Sequence, residues 1–343
     1  MRQSVMNIKR LDLVDPWIKD LPKIELHCHL EGAFPVECLW ELIEKYESHH
    51  GLASIEVLKS KFAFSSFADF VELWIWKNGF LRSYEDFTFI ADAFAKSLVK
   101  QNVFYSEIFF SPSSWLKRGF EPGKLLEAIY AGYAKHPNLK VQMIADLVRN
   151  FGPENEMFVL EQLKELRSHG LIGIGLGGSE QDFPAEHFSK VFDKAKDFGF
   201  KTTAHAGEFV GPESIWQAIN HLKVDRLGHA LCVLEDESLI NYLQIKKIGL
   251  ELCPYSNYRS SALKQQEVHP LKKMLDLDLL VTLNSDDPLM FGHSLNQEYQ
   301  FAQDHLLLTK NDFAVLLNNS LKVSWLSNAD KLTYEKFVMS SNL

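Results

Sequence analysis

Two histidines separated by one residue stand in the segment ELHCHLEG, at positions 27 and 29 of the 343-residue chain. The apolar residues around them predict a buried strand, and side chains two residues apart on a strand point to the same face. His27 and His29 would therefore converge on one small volume, which suits a shared metal ion. Two unrelated histidines near a strand end would give the same pattern, so the pair alone decides nothing.

Other side chains that bind metal or move protons follow later apolar runs. His205 lies in TAHAGE, His229 lies in RLGHA, and Asp286 and Asp287 lie in NSDDP. Each has an ordinary explanation, because a lone histidine at a strand end is more often a hydrogen-bonded structural group and Asp-Asp-Pro often opens a helix. Their shared position at strand ends favours one common site.

Three imidazoles and one carboxylate form a donor set that suits Zn²⁺. The predicted ligands of one zinc ion per subunit are His27, His29, His205 and Asp286. Such a set leaves room for a water, whose pKa zinc can lower to about 7. His229 is either a further nitrogen ligand or, in the interpretation that we prefer, a neighbour that orients this water.

Glu208 stands three residues after His205 in the segment HAGE. Burial would raise the pKa of its carboxyl group, which could then donate a proton to a reacting ring. The ordinary alternative is a carboxylate that interacts with the N-terminus of the next helix.

Short apolar strands alternate with amphipathic helices along the chain. The predicted strands are 23–30, 103–110, 140–146, 171–176, 201–206, 225–230, 249–254 and 279–285. This alternation predicts an α/β fold with a parallel sheet, and eight strands predict a (β/α)8 TIM barrel. Active sites of such barrels lie at the C-terminal ends of the strands, so all the candidate residues would share one rim.

Two segments fall outside the strand–helix repeat. Residues 35–100 are too long for one crossover helix, and their aromatic-rich stretch 62–80 predicts a helical lid over the barrel mouth, with ordinary helix core as the alternative. Residues 294–343 are predicted to form C-terminal helices that pack on the barrel. No linker or repeat divides the chain, so residues 1–343 are expected to form a single domain.

Composition limits the classes of partner. The formal charge is −9 and no basic run occurs, which argues against nucleic acid and favours a small neutral molecule. The chain has no stretch of 18 apolar residues and no apolar leader, so we predict no membrane association and a cytoplasmic location. Four scattered cysteines argue against a thiolate zinc site. A homo-oligomer is left open.

The chain resembles adenosine/adenine deaminases, which are zinc hydrolases of the amidohydrolase superfamily, in the order and approximate spacing of six motifs. These motifs are ELHCHLEG, GLGGSE, TAHAGE, RLGHA, LCPYSN and TLNSDDP. The resemblance covers about residues 20–300 and implies a (β/α)8 barrel with the four zinc ligands named above. It also implies hydrolytic deamination at C6 of a purine, with release of ammonia.

The resemblance implies a role for each remaining motif residue. Glu208 would protonate N1 of the purine, and His229 would position the attacking hydroxide. Asp287 would bind N7, and the backbone N–H of Gly178 would meet N3. The catalytic residues predicted in this way are Glu208, His229 and Asp286, and the substrate-binding residues are His29, Glu31, Gly178 and Asp287.

Departures from the motifs leave the group on N9 open. Glu31 stands where many adenosine deaminases carry an aspartate that contacts ribose, and adenine-type members also carry glutamate. GIGLGGSE lacks aspartates found near Gly175 and Ser179 in many relatives, and Ala230 replaces a glycine. RLGH, rather than the RIDH of many adenine deaminases, resembles the nucleoside enzymes. We therefore predict adenosine or 2′-deoxyadenosine as substrate, giving inosine or 2′-deoxyinosine, with aminodeoxyfutalosine and free adenine as alternatives.

Two other classes of function deserve comparison with deamination. A phosphotriesterase or amidase on the same barrel is disfavoured because no bridging lysine is evident at the end of the fourth strand and because HAGE is present. A catalytically inactive binding relative would be expected to have lost a ligand or Glu208, and every such position is intact.

Overall fold

The computed structural model describes residues 13–47, 51–64 and 66–340, so both ends of the predicted domain 1–343 lie outside the described residues. Eight parallel strands pair in chain order. They are β1 (Lys23–His29), β2 (Val103–Phe110), β3 (Lys140–Val148), β4 (Leu171–Gly177), β5 (Lys201–Ala206), β6 (Arg226–His229), β7 (Gly249–Leu252) and β8 (Val281–Leu283). All eight predicted strands are present. Strand β7 ends earlier than predicted because Pro254 begins a helix.

The sheet closes into a barrel between β1 and β8 at the predicted site itself. Cys28 forms a parallel bridge with Asp286. The His29 N–H donates to the Asp286 carbonyl at 3.0 Å, and the Asp286 N–H donates to the His27 carbonyl at 3.0 Å. The (β/α)8 prediction is confirmed, and three predicted metal ligands lie where the last strand meets the first.

Helices surround the barrel, and several begin with proline, whose missing N–H would have no partner in a first turn. They are α1 (Pro16–Asp20), α2 (Leu30–Ala33), α3 (Val36–Tyr46), α4 (Ile55–Ser60), α5 (Phe67–Asn78), α6 (Tyr84–Lys100), α7 (Pro112–Leu116), α8 (Pro122–Tyr133), α9 (Pro153–Leu163), α10 (Ser189–Asp197), α11 (Pro212–Gln217), α12 (Glu237–Lys246), α13 (Pro254–Arg259), α14 (Leu271–Asp276), α15 (Pro288–Phe291), α16 (Leu295–Leu306), α17 (Lys310–Val323) and α18 (Asn328–Ser340). Short 3-10 helices span Arg149–Phe151, Lys164–His169, Ala185–Phe188 and Leu231–Glu235, and a π-helical turn spans Ala218–Leu222. None of the helices within the described ranges is long and apolar enough to cross a lipid bilayer.

The insertion 35–100 contains helices α3 to α6. Helix α6 buries an apolar stripe that includes Phe87, Ile90 and Phe94, and it packs on α8. Helix α5 instead presents side chains to the cavity at the barrel mouth. The insertion is therefore partly ordinary core, as the alternative interpretation held, and only α5 has the position predicted for the lid.

The C-terminal helices pack on the barrel as predicted, within the part of the chain that the structure describes. Helix α17 contacts β8 and β1. Its apolar face joins a small buried cluster beneath the barrel wall: Ile24, Leu26, Phe104, Tyr105, Leu317, Leu321 and Leu326. Removing one of its leucine side chains would cost about 2–5 kcal/mol of unfolding free energy. This helix thus covers the junction between β8 and β1, at which the predicted metal ligands lie.

Candidate active site

His27 presents a free lone pair at the C-terminal rim of the barrel. Its Nδ1 lies 2.8 Å from Glu251 Oε2, and a carboxylate accepts hydrogen bonds, so Nδ1 carries the proton. Its Nε2 is buried and has no hydrogen-bond partner. A buried polar atom without a partner is costly. The carboxylate–histidine pair therefore prepares Nε2 to bind a cation.

His205 and His29 bring two more ring nitrogens to the same point. The Leu176 carbonyl accepts from His205 Nδ1 at 3.2 Å, which leaves the lone pair on His205 Nε2. His29 Nε2 lies 3.3 Å from that nitrogen. The rings of His27 and His29 are 5.5 Å apart, as expected for side chains on one face of a strand. Lone pairs on facing nitrogens repel each other unless a proton or a cation lies between them.

Asp286 adds an oxygen to these nitrogens. Its Oδ1 lies 3.6 Å from both His27 Nε2 and His29 Nε2. The Ser256 hydroxyl donates to its other oxygen at 2.5 Å, which fixes the carboxylate orientation. Its backbone φ is +59°, a left-handed conformation that non-glycine residues adopt rarely and that concentrates at functional sites.

His229 also lies close to the other candidate donor atoms, so it is a further candidate ligand. One nitrogen or oxygen each from His27, His205, His229 and Asp286 can be chosen so that all lie within 4.8 Å of one another. This group contains His229, while His29 contacts His205 and Asp286 at its edge. Five candidate donors thus surround one point, and these distances do not by themselves choose between His29 and His229.

Burial favours the protonation states that a metal requires. Burial lowers the pKa of His27, His29 and His229 well below the ordinary histidine value and lowers that of His205 to about 4. These rings are therefore neutral at physiological pH, as ligating imidazoles must be. Burial raises the pKa of Asp286 to about 7, and a bound cation would restore the ionised form.

Glu208, which the sequence analysis predicts to be the acid, lines the same cavity, and Glu180 holds the loop that carries it. The Glu180 carboxylate accepts from the N–H groups of Gly207, Glu208 and Phe209 and from the Ser214 hydroxyl. Burial, followed by the charge of Asp286, raises the pKa of Glu208 well above its usual value. This shift favours the protonated form of the carboxyl group, which is the form that a proton donor needs.

Asp287 and Gly178 lie where the prediction placed them, at the cavity wall. Asp287 Oδ1 is buried without a partner, and a side chain on Gly32 would collide with this carboxyl group. Gly178 has φ of +98°, and a Cβ there would lie 2.5 Å from Asn150 Oδ1, so only glycine fits.

Glu31 is close to the site but turned away from the cavity. Its Oε1 accepts from the Ser111 N–H at 2.9 Å and from the Trp115 indole N–H at 2.8 Å. The Lys77 ammonium donates to its backbone carbonyl at 2.5 Å. Glu31 is 1% exposed and is absent from the residues that line the cavity.

The cavity above the rim has a volume of about 430 Å³, within the range of small-molecule sites. Its polar end holds His29, Asp146, His205, Glu208, His229, Asp286 and Asp287. Its outer part is lined by Phe70, Val71, Trp74, Ile75, Phe151, Phe209 and Phe291, with several serines between. No lysine or arginine lines this cavity among the residues that the structure describes.

Sequence reasoning missed the residues that orient the others. Glu251, Ser256 and Glu180 all lie in or beside quoted motifs or predicted strands, yet nothing in the letters shows which group they contact. Asp146 on β3 pairs in register with Gly175 on β4, and a Cβ at Gly175 would lie 2.7 Å from its Oδ1. The glycines of GIGLGGSE thus leave room for a carboxylate that comes from the neighbouring strand.

A second buried polar cluster lies beneath the rim inside the barrel. Arg226 pairs with Glu107 and Glu251, each at 2.5 Å. The Tyr105 hydroxyl donates to Glu107 at 2.7 Å, and the Arg226 guanidinium stacks on Trp325 with 3.7 Å to the ring centroid. Glu251 therefore links this lower cluster to His27.

Known proteins are similar to this chain in both sequence and fold. The family model for adenosine deaminase matches residues 22–339. An adenine deaminase from Caulobacter vibrioides is 35% identical over 318 residues, which cover 92% of each chain. The crystal structure of adenine deaminase from Arthrobacter aurescens has a TM-score of 0.87 at 28% identity, covering 93% of this chain and 98% of that one. The N6-mAMP deaminase of Arabidopsis shares the fold at 23% identity, with a TM-score of 0.82, covering 94% of this chain and 99% of that one.

Proposed function

We propose that this chain, which belongs to the adenosine deaminase family, hydrolyses adenine to hypoxanthine and ammonia. It is an aminohydrolase, and the similarity to purine deaminases supports deamination of a purine. Adenosine, the substrate predicted from sequence, remains a prediction that the comparisons do not confirm. The choice of adenine rests on the position of Glu31. Its carboxylate accepts hydrogen bonds from the Ser111 and Trp115 N–H groups and does not line the cavity.

The residues at the rim fit one zinc ion. His27 Nε2 is a buried nitrogen without a partner, and the neighbouring neutral imidazoles and the Asp286 oxygen complete a nitrogen–oxygen set that zinc prefers. We assign His27, His29, His205 and Asp286 as the ligands. A zinc ion bound there supplies a water whose pKa lies near neutrality.

Glu208 supplies the proton that the purine ring needs. In the proposed reaction Glu208 protonates N1 and a water oxygen adds to C6, and the C6–N bond then breaks. One proton of the water goes to the leaving amino group, which departs as ammonia, and the other returns to Glu208. Protonation of N1 draws electrons from C6 and so lowers the barrier to addition. His229 Nε2 lies 3.6 Å from Glu208 Oε2, near enough to orient the water beside the same ring edge.

Asp287 and Gly178 orient the purine in this proposal. Burial, followed by the charge of Asp286, raises the pKa of Asp287 well above its usual value, so its carboxyl group can donate a hydrogen bond to N7. The Gly178 N–H would donate to N3. Both residues line the cavity on the polar side.

The outer cavity supports a substrate with little attached to N9. The Trp115 and Ser111 N–H groups both hold Glu31 Oε1, while Oε2 is buried without a hydrogen-bond partner. Because this side chain does not line the cavity, neither oxygen is presented to a ribose hydroxyl. Because no cation lines the cavity within the described ranges, a phosphate on the substrate would lack a counter-charge. Aromatic side chains of the lid instead suit the face of a flat base.

A substrate panel tests this proposal. Initial rates of ammonia release are measured for the zinc-loaded protein with adenine, adenosine, 2′-deoxyadenosine, aminodeoxyfutalosine and adenosine monophosphate. The proposal predicts that adenine has the highest kcat/KM. A higher value for adenosine would restore the substrate predicted from sequence, and no turnover of any purine would favour the inactive relative.

A further inference from the structure

A series of three buried hydrogen bonds connects the backbone of α14 to His229. The Leu271 N–H donates to His269 Nδ1 at 3.2 Å, and His269 Nε2 lies 3.2 Å from Asn257 Oδ1. Asn257 Nδ2 in turn lies 3.1 Å from His229 Nδ1. The three side chains are at most 1% exposed, so bulk water offers them no other partner.

The first hydrogen bond of this series can form in only one direction, from donor to acceptor. A backbone N–H donates and cannot accept, so His269 Nδ1 must be the acceptor. A neutral imidazole carries one proton, which His269 therefore holds on Nε2. Burial lowers the pKa of His269 to about 3, which is consistent with a neutral ring at physiological pH.

The direction of the first hydrogen bond determines the direction of the next two, from His269 to Asn257 and from Asn257 to His229. The His269 Nε2–H donates to Asn257 Oδ1, so the amide NH₂ must face His229, where it donates to Nδ1. His229 then carries its own proton on Nε2. With the amide reversed, His269 would need its proton on Nδ1, directly opposite the Leu271 N–H, and two donors would face each other in a buried site.

We infer that Asn257 and His269 are positioning residues that hold His229 in the tautomer with the proton on Nε2 and so exclude it from the metal ligands. This inference rests on the proposed function. A ring nitrogen that carries a proton has no lone pair with which to bind a metal. His229 therefore donates a hydrogen bond into the cavity, while His29 completes the ligand set. The Asn257 amide also lies near enough to Glu208 to lower the pKa of its carboxyl group, so one side chain acts on both groups that would handle the reacting atoms.

Nitrogen NMR measures the tautomer directly. Long-range proton–nitrogen spectra of the zinc-loaded protein, labelled with ¹⁵N-histidine, distinguish a protonated ring nitrogen from one with a lone pair. His229→Gln identifies the signals of His229 among the 13 histidines by removing them. The inference predicts a protonated Nε2 and an unprotonated Nδ1 at His229. An unprotonated or zinc-bound Nε2 would overturn it, whatever the enzyme turns over.

The variant Asn257→Asp provides a second test, because it should reverse the tautomer of His229. A carboxylate only accepts, so His229 should move its proton to Nδ1, and kcat should fall by about 10–100-fold, the usual effect of losing such an orienting partner. The matched control is Asn319→Asp, since Asn319 is buried and donates to the Val281 carbonyl away from the cavity. A proton retained on Nε2 in Asn257→Asp would contradict the inference.

The wild-type spectrum remains decisive if Asn257→Asp does not fold. The proposed function and the inference about His229 can be refuted independently of each other. The expected tautomer in a protein that deaminates no purine would contradict the proposed function and leave the inference about Asn257 and His269 intact.

Discussion

Two buried polar clusters share the interior of the barrel, and they differ in whether a positively charged side chain of the protein lies among their carboxylates. The lower cluster surrounds Arg226, whose charge is balanced by Glu107 and Glu251. The upper cluster, at the rim, gathers neutral imidazoles, Glu208 and two aspartates around one point. There His27 Nε2 and Asp287 Oδ1 are buried without partners.

The difference separates a cluster that supports the fold from one that suits a bound cation. In the lower cluster Arg226 itself supplies the positive charge that faces the carboxylates of Glu107 and Glu251, although its Nη2 has no hydrogen-bond partner. The rim gathers buried acceptors around one point, and no positive charge stands among the described residues that line its cavity. Such acceptors cost free energy, which a bound cation would offset. Glu251 contacts both Arg226 and His27, so the lower cluster orients the upper one.

Removing the proposed proton donor, Glu208, should have the largest effect on catalysis. We expect Glu208→Gln to lower kcat by about 10²–10⁴-fold while zinc content stays unchanged, because the amide cannot deliver a proton. Wild-type activity should fall as pH rises through the raised pKa of Glu208, since the protonated form is the active one. Steady-state kinetics and metal analysis check both points, and near-normal turnover in the variant would refute the assigned role.

Breaking the lower cluster should instead affect stability. Arg226→Met leaves two buried carboxylates without their counter-charge, and we expect a loss of about 3–5 kcal/mol in the free energy of unfolding, measured with denaturant. The control is Lys201→Met, whose exposed pair with Asp225 should contribute at most about 1 kcal/mol. Equal losses in the two variants would mean that the buried ion pairs of Arg226 stabilise the fold no more than an exposed pair does.

Cutting the link between the clusters should weaken zinc binding without removing a ligand. We expect Glu251→Gln to reduce zinc affinity by about 10–100-fold, because His27 loses the carboxylate that fixes its tautomer. Competition with a chelator measures this affinity. Glu156→Gln is the matched control, since Glu156 is buried and accepts from Ser113 but contacts no ring nitrogen of the site. An unchanged affinity in Glu251→Gln would mean that the clusters are independent.

The smallest effect is expected at the edge of the rim. Trp115→Phe removes one of the two N–H groups that hold Glu31, so the carboxylate can turn toward the cavity. We expect kcat/KM for adenosine relative to adenine to rise by up to about tenfold, the worth of one modest hydrogen bond. Trp216→Phe, which loses an indole bond to Asp236 outside the cavity, serves as the control. An unaltered ratio would show that Glu31 does not select the group on N9.

The sequence predicted the barrel and the rim residues because both depend on local and topological rules. Alternating strands and helices impose a parallel sheet, and in a barrel every strand end meets the same rim. The residues that orient the ligands could not be predicted, because their contacts join distant parts of the chain. Glu251 lies 224 residues from His27, and Asp146 reaches the site because β4 has glycine beside it. Side-chain contacts of this kind follow from register and packing, which the letters alone do not give.

The most direct test is a zinc titration of the metal-free protein, with hypoxanthine formation from adenine as the readout. We expect no activity without metal, a linear rise in rate as zinc is added, and a sharp break at one zinc ion per chain. We also expect Asp286→Ala to show neither tight zinc binding nor turnover. Deamination by the metal-free protein, or a rate that does not depend on zinc, would refute the proposed zinc site.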